Sequence, residues 1–162
     1  MRTVRTCFST LFAVVLVLQP ALAQNKAAIS KSVAEFYQLS LGLSTSLSEL
    51  SKRSGTASPN DKDMLKLVIS QLSIANASTE GVLDLGAVAS EVRDAGDLAI
   101  VKKHLSARCS ALKSMTETTA KYVGSVAANI AAVATVAEVT KSRELLLQIG
   151  QHSLCNPKPG KA

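Results

Sequence analysis

The residues with the most chemistry to offer are cysteines 7, 109 and 155, histidines 104 and 152, and one short basic run. Cys109 and Cys155 stand 46 residues apart. His104 follows Lys102-Lys103 and lies near Cys109, and His152 lies just before Cys155. Cysteine and histidine at short spacing are zinc ligands, whereas two cysteines in an oxidising compartment form a disulfide. The choice depends on where the chain goes and on which elements carry these side chains.

Other chemistry finds little footing. The sequence has no G-x-S-x-G, no H-E-x-x-H, no phosphate-binding glycine loop and no C-x-x-C. C-x-x-C-H is missing, which excludes covalently attached c-type haem. No glutamate has a histidine three residues on, so the di-iron pattern of helical bundles is absent. Met64 and Met115 could ligate haem with a histidine, but they fall at core spacing and are read as packing. The expectation is a protein without catalytic residues, cofactor or metal.

The N-terminus bears on the compartment. Arg2 and Arg5 precede an apolar run from Leu11 to Leu18, Gln19-Pro20 ends it, and Ala21-Leu22-Ala23 follows. A positive start, a short apolar middle and an A-x-A end make a secretory signal, and the run is well short of the ~20 residues that span a bilayer. Residues 1–23 are therefore expected to be cleaved, taking Cys7 with them. The formal charge of +6 would fall to +4 with the loss of Arg2 and Arg5. Two cysteines then remain in an exported chain, in the bacterial periplasm or beyond it, and read as one disulfide, Cys109–Cys155.

The rest of the chain reads as helix. Ile29, Val33, Phe36, Ser40, Leu43, Leu47 and Leu50 step by threes and fours and predict a helix over about 26–53. Ser58-Pro59 opens a second, 59–93, with Leu65, Val68, Leu72, Ala75, Thr79 and Val82 on its seam. A break at Asp94-Ala95-Gly96-Asp97, with Asp97 as cap, starts a third, 97–132. Its stripe runs through Leu98, Val101, Leu105, Leu112, Met115, Tyr122, Val126 and Val133. Thr135 to Glu138 has the capping-box pattern and predicts a fourth helix, 136–152, with Val139, Leu145, Leu146, Leu147 and Ile149. Residues 24–155 thus form one domain, an all-α, up-and-down four-helix bundle, followed by a loose tail, 156–162.

Hairpin geometry then separates disulfide from zinc. A turn centred near residue 132 between the last two helices sets Cys109 level with Cys155. It sets His152 opposite residue 112, roughly 12 Å along the axis from His104, too far for a shared metal. In the preceding hairpin, Glu91, Asp84 and Glu80 fall level with Lys102, Arg108 and Lys113, which predicts three exposed ion pairs that favour register.

Partner expectations follow from charge and composition. Aromatic residues make up 3% of the chain and Trp is absent, too few for a base-stacking platform, so nucleic acid is not expected. Lys102, Lys103 and His104 form a candidate basic patch for an acidic partner or anionic lipid head groups. Residues 122–137 carry no charge from Tyr122 to Ala137 and are rich in Ala; they read as buried core, or alternatively as a membrane or self-association surface. Asn76-Ala77-Ser78 is a glycosylation sequon that matters only in a eukaryote. Together these point to an exported, non-enzymatic bundle that binds another envelope or extracellular protein as an adaptor, inhibitor or immunity-type protein. The alternatives are a structural or membrane-surface component of an envelope or secretion assembly, and a carrier or enzyme using the bundle interior.

Overall fold

The computed structural model describes the backbone of residues 5–156, and side chains from Ala23 on, Asn25 excepted. The side chains of the expected leader up to residue 22, and residues 157–162 of the expected tail, lie outside the described residues. Four helices follow in order: α1 (Arg5–Thr56), α2 (Pro59–Glu91), α3 (Ala95–Ala127) and α4 (Val133–Gln151). Each packs against the next, and α4 closes against α1, which makes an up-and-down four-helix bundle.

The seams of α1 and α2 follow the 3/4 spacing. All six expected α2 positions, Leu65 to Val82, are buried, with Phe36, Leu43 and Leu50 facing them from α1. Ser58 caps α2, accepting the Asp61 N–H at 3.2 Å, and Pro59 occupies the first helical position where its missing N–H costs nothing. α2 and α3 are 33 residues each and α4 is 19, so α4 covers only part of their length. Beyond its end, residues 152–156 fold across the bundle and bury Leu154. Cys155 is bonded to Cys109 with their Cα atoms 5.0 Å apart.

Several boundaries differ from the sequence reading. α3 ends at Ala127, five residues early, and α4 begins at Val133, three residues early. The turn between them buries Ile130 and donates the Ala131 N–H to Asp61 Oδ1 of α2 at 3.2 Å, a tertiary pull that ends α3 inside an Ala-rich run. The uncharged stretch 122–137 is thus the end of one helix, a turn and the start of another. Val133, expected on the α3 stripe, opens α4 and is 83% exposed. The capping box does not form: α4 starts without a side-chain cap, Thr135 is buried, and Glu138 instead accepts the Ser46 hydroxyl of α1 at 2.5 Å. At the preceding turn Asp94 is the cap, accepting from Gly96 N at 2.7 Å and Asp97 N at 3.1 Å.

Two of the expected α2–α3 ion pairs fail for a common reason. Glu80 and Asp84 line a groove between α1 and α2, whereas Arg108 lines the groove between α2 and α3. Lys113 lies on the α4 side of α3, where its backbone approaches Gly150. The charges are level, but they sit on different flanks of their helices. Glu80 accepts instead from Asn76 Nδ2 at 2.9 Å.

The disulfide closes a 46-residue loop, for which chain entropy gives a contribution of about 4 kcal/mol. Urea unfolding of the oxidised protein and of the Cys109→Ser/Cys155→Ser variant should differ by about that amount. A difference below about 1 kcal/mol would mean that packing alone holds residues 152–156.

Candidate functional site

The basic run is divided by the helix that carries it. Consecutive residues project about 100° apart on α3, so Lys102, Lys103 and His104 do not share a face. Lys102 is half-buried, Lys103 is exposed, and His104 lines the groove between α2 and α3. There it joins Arg108, one turn further along, rather than its two lysine neighbours.

That groove encloses about 760 Å³. Its walls are mostly small or apolar: Ile74, Ala77, Gly81 and Leu85 from α2, with Ala107, Ala111 and Met115 from α3. Small side chains at the centre of both walls leave the channel open, and a Cβ built on Gly81 meets nothing within 4 Å. The α2 wall belongs to a second apolar stripe, Leu67, Ile74, Gly81 and Val88, repeating every seventh residue outside the core seam. Ile74 is 53% exposed, Leu67 52% and Val88 49%. The seven-residue repeat was available in the sequence, but beside a complete core seam its apolar members look like extra core.

Charge on this surface has one sign. Arg108 and His104 are its charged or titratable lining residues, and no acid lines it among the described residues. Arg108 has no ion pair or hydrogen bond among the described residues. Across α2, the second groove, about 570 Å³, carries Glu80 and Asp84 beside Val33, Tyr37 and Leu83. α2 therefore separates a base-edged groove from an acid-edged one.

A second cluster gathers where the chain leaves α4. His152 packs against Phe36 with ring centroids 5.2 Å apart, and its Nδ1 accepts the Leu154 N–H at 3.2 Å. Its Nε2 lies 3.9 Å from Glu35 Oε2. A Cβ on Gly86 would lie 2.8 Å from Val33 Cγ2, so glycine there lets α1 approach α2 closely, while Leu154, 3.4 Å from the same point, packs beside it in ordinary contact. Asn156 Nδ2 donates to the Gly150 and His152 carbonyls, tying the turn to the end of α4. Burial pushes the His152 pKa down, and Glu35 opposes this more weakly. The arrangement is that of a neutral imidazole accepting a backbone proton.

Between α1 and α4 a third polar group holds Ser46, Ser142 and Glu138, with the two hydroxyls 2.7 Å apart and Lys141 Nζ 3.4 Å from Glu138. Neither histidine belongs to it. Among the described residues no group of three or more His, Cys, Asp or Glu could hold a metal ion, and both Cys109 and Cys155 are committed to the disulfide. No described helix is long and apolar enough to cross a membrane. Asn76 sits inside α2 with its Nδ2 engaged by Glu80, so the sequon is presented on a helix rather than a loop.

Compared with known proteins, the chain matches no family model, no curated protein and no solved structure.

Two predictions follow from these clusters. The folded pKa of His152 is below its unfolded value, so the unfolded chain binds the proton more readily. Its contribution to stability is therefore present above the unfolded pKa, near 6.5, and declines as pH falls below it. His152→Asn keeps an acceptor near the Leu154 N–H without a titrating ring; its stability should vary less than wild type between about pH 7 and 5. Identical pH profiles in chemical denaturation would reject this role. At Gly81, where added volume meets open space, Gly81→Ala should raise stability by about 1 kcal/mol through helix propensity alone; a lowered melting temperature would contradict the open geometry.

Proposed function

We propose that this chain is an exported, disulfide-braced helical bundle that works by binding another protein outside the cytoplasm, as an adaptor, inhibitor or immunity-type protein does, and not by catalysis. The leader-like residues 1–23 and the Cys109–Cys155 bond support export, since disulfides persist in oxidising compartments. One observation carries the binding role: the apolar groove on the outer face of α2 and α3. Ile74 in its wall, and Leu67 and Val88 seven residues to either side of the groove's Ile74–Gly81 span, lie outside the core and are about half-exposed. A concave, largely apolar face between two rigid helices suits contact with another protein. Its rigid support comes from the seams beneath it, so the face is held in place without a partner.

Site-specific photo-crosslinking in the native cells tests this reading. A crosslinker at Ile74 should give a discrete adduct with another polypeptide, absent when the crosslinker is at Glu144 on α4 and lost on adding Gly81→Leu. An adduct pattern independent of position would reject the face as a binding site. For the compartment, fusion of residues 1–23 to a phosphatase that is active only after export should give active enzyme, and an inactive fusion retained inside the cell would reject export.

A further inference from the structure

Resting on the reading that the α2–α3 face meets a protein, the geometry points to a specific kind of partner: we infer that this groove binds one amphipathic helix bearing carboxylates. Three observations converge on that occupant.

The first is shape. The groove runs along two antiparallel helices, and the part from Ile74 to Leu85 is about 16 Å long, or three helical turns. It is open along its length, so it leaves a small molecule largely exposed, whereas bound ligands of that size are usually enclosed over most of their surface. A flat lipid surface would touch the rims and miss the floor. A cylinder laid lengthwise contacts both walls.

The second is the floor. Gly81 on α2 and Ala107 and Ala111 on α3 remove side-chain bulk where the two walls are closest to a visiting backbone. The core gains nothing from the glycine, because its missing Cβ points into open space. Its consequence is on the outside, where it lets an apolar helix face settle between α2 and α3, with anchors spaced three and four residues apart.

The third is charge. Arg108 lies in the groove wall with no ion pair or hydrogen bond among the described residues, His104 stands one turn away, and no acid lines the groove. A guanidinium pairs with a carboxylate through two parallel hydrogen bonds, and more strongly at an apolar, partly desolvated edge than in open water. An occupant with Asp or Glu flanking its apolar face satisfies Arg108; one with Lys or Arg there is repelled. The acids of this molecule's own α2 cannot serve, because Glu80 and Asp84 open onto the other groove.

The test is a display library of 18-residue helical peptides with one face randomised, selected against the full, oxidised protein. Peptides enriched from it should carry Asp or Glu beside an apolar stripe. They should lose at least tenfold in affinity against Arg108→Glu, and against Gly81→Leu, which fills the floor. Both positions are exposed, and an unchanged cooperative melt confirms that each variant is folded. Enriched peptides that are neutral or basic, that ignore either substitution, or that fail to emerge would overturn the proposal. So would Arg108-dependent pelleting with phosphatidylcholine–phosphatidylglycerol vesicles in place of peptide binding, which assigns the face to lipid. Concentration-dependent self-association abolished by Gly81→Leu overturns it too, in favour of a second copy. Failure here with a position-specific crosslink at Ile74 rejects the acidic helix and keeps the binding role; failure of both rejects the two together.

Discussion

The bond between Cys109 and Cys155 is the constraint on which the lower half of the bundle depends. α4 is short, and below its last turn the other three helices lack a fourth neighbour. By holding Cys155 against α3, the disulfide keeps residues 152–156 where that neighbour would be. Leu154 then covers the core beside Val33, and His152 closes over Phe36. Burial of a leucine contributes about 2 kcal/mol, which is modest beside the entropy of fixing five residues of backbone at roughly 1–2 kcal/mol each. Packing alone is a poor means of ordering such a segment. A covalent tie removes much of that cost by restricting the unfolded chain, and it makes the hydrogen bonds of His152 and Asn156 worth forming.

How much of this was legible in the sequence depended on what each residue answers to. The α2 seam was readable in full because its apolar positions answer only to helical period and burial. Cys109 and Cys155 could be paired from the level positions of a hairpin. The end of α3 was hidden because it is decided by Asp61, distant in sequence, whose carboxylate takes the Ala131 N–H. Thr116 and Thr119 are buried without belonging to an apolar pattern, and Thr116 donates its hydroxyl to the Lys113 carbonyl of its own helix. The pairs of Asp84 with Arg108 and Glu80 with Lys113 failed because level position along the axis says nothing about angle around it. Of the candidate site, the sequence offered His104 in a basic run, but the run's neighbours in space proved to be Arg108, Gly81 and Ala111 instead.

The two long sides of the bundle are built by different rules. Between α1 and α4 the seam is polar in part, with Ser46, Ser142 and Glu138 joined by hydrogen bonds, and Gly42 admitting Leu145. Directional bonds of that kind fix one register of α4 against α1. Between α2 and α3 the groove is walled instead by small side chains, Ala77, Gly81, Ala107 and Ala111, which leave it unfilled and largely apolar. The closed side supplies uniqueness of fold, and the open side leaves surface to spare. That division lets a small molecule of this size keep a rigid frame while exposing side chains that a core would otherwise take.

The closing segment after α4 has a further consequence, which concerns time rather than space. Leu154 and Cys155 give the final lock of the bundle to residues that are synthesised after all four helices. A ribosome completes α1, α2 and α3 before the segment that fastens them exists, and domains otherwise tend to fold as they emerge. The sulfur bond that holds the segment also forms only where oxidant is present. The last lock of the fold is thus the last part made, and it closes only where an oxidant reaches Cys109 and Cys155.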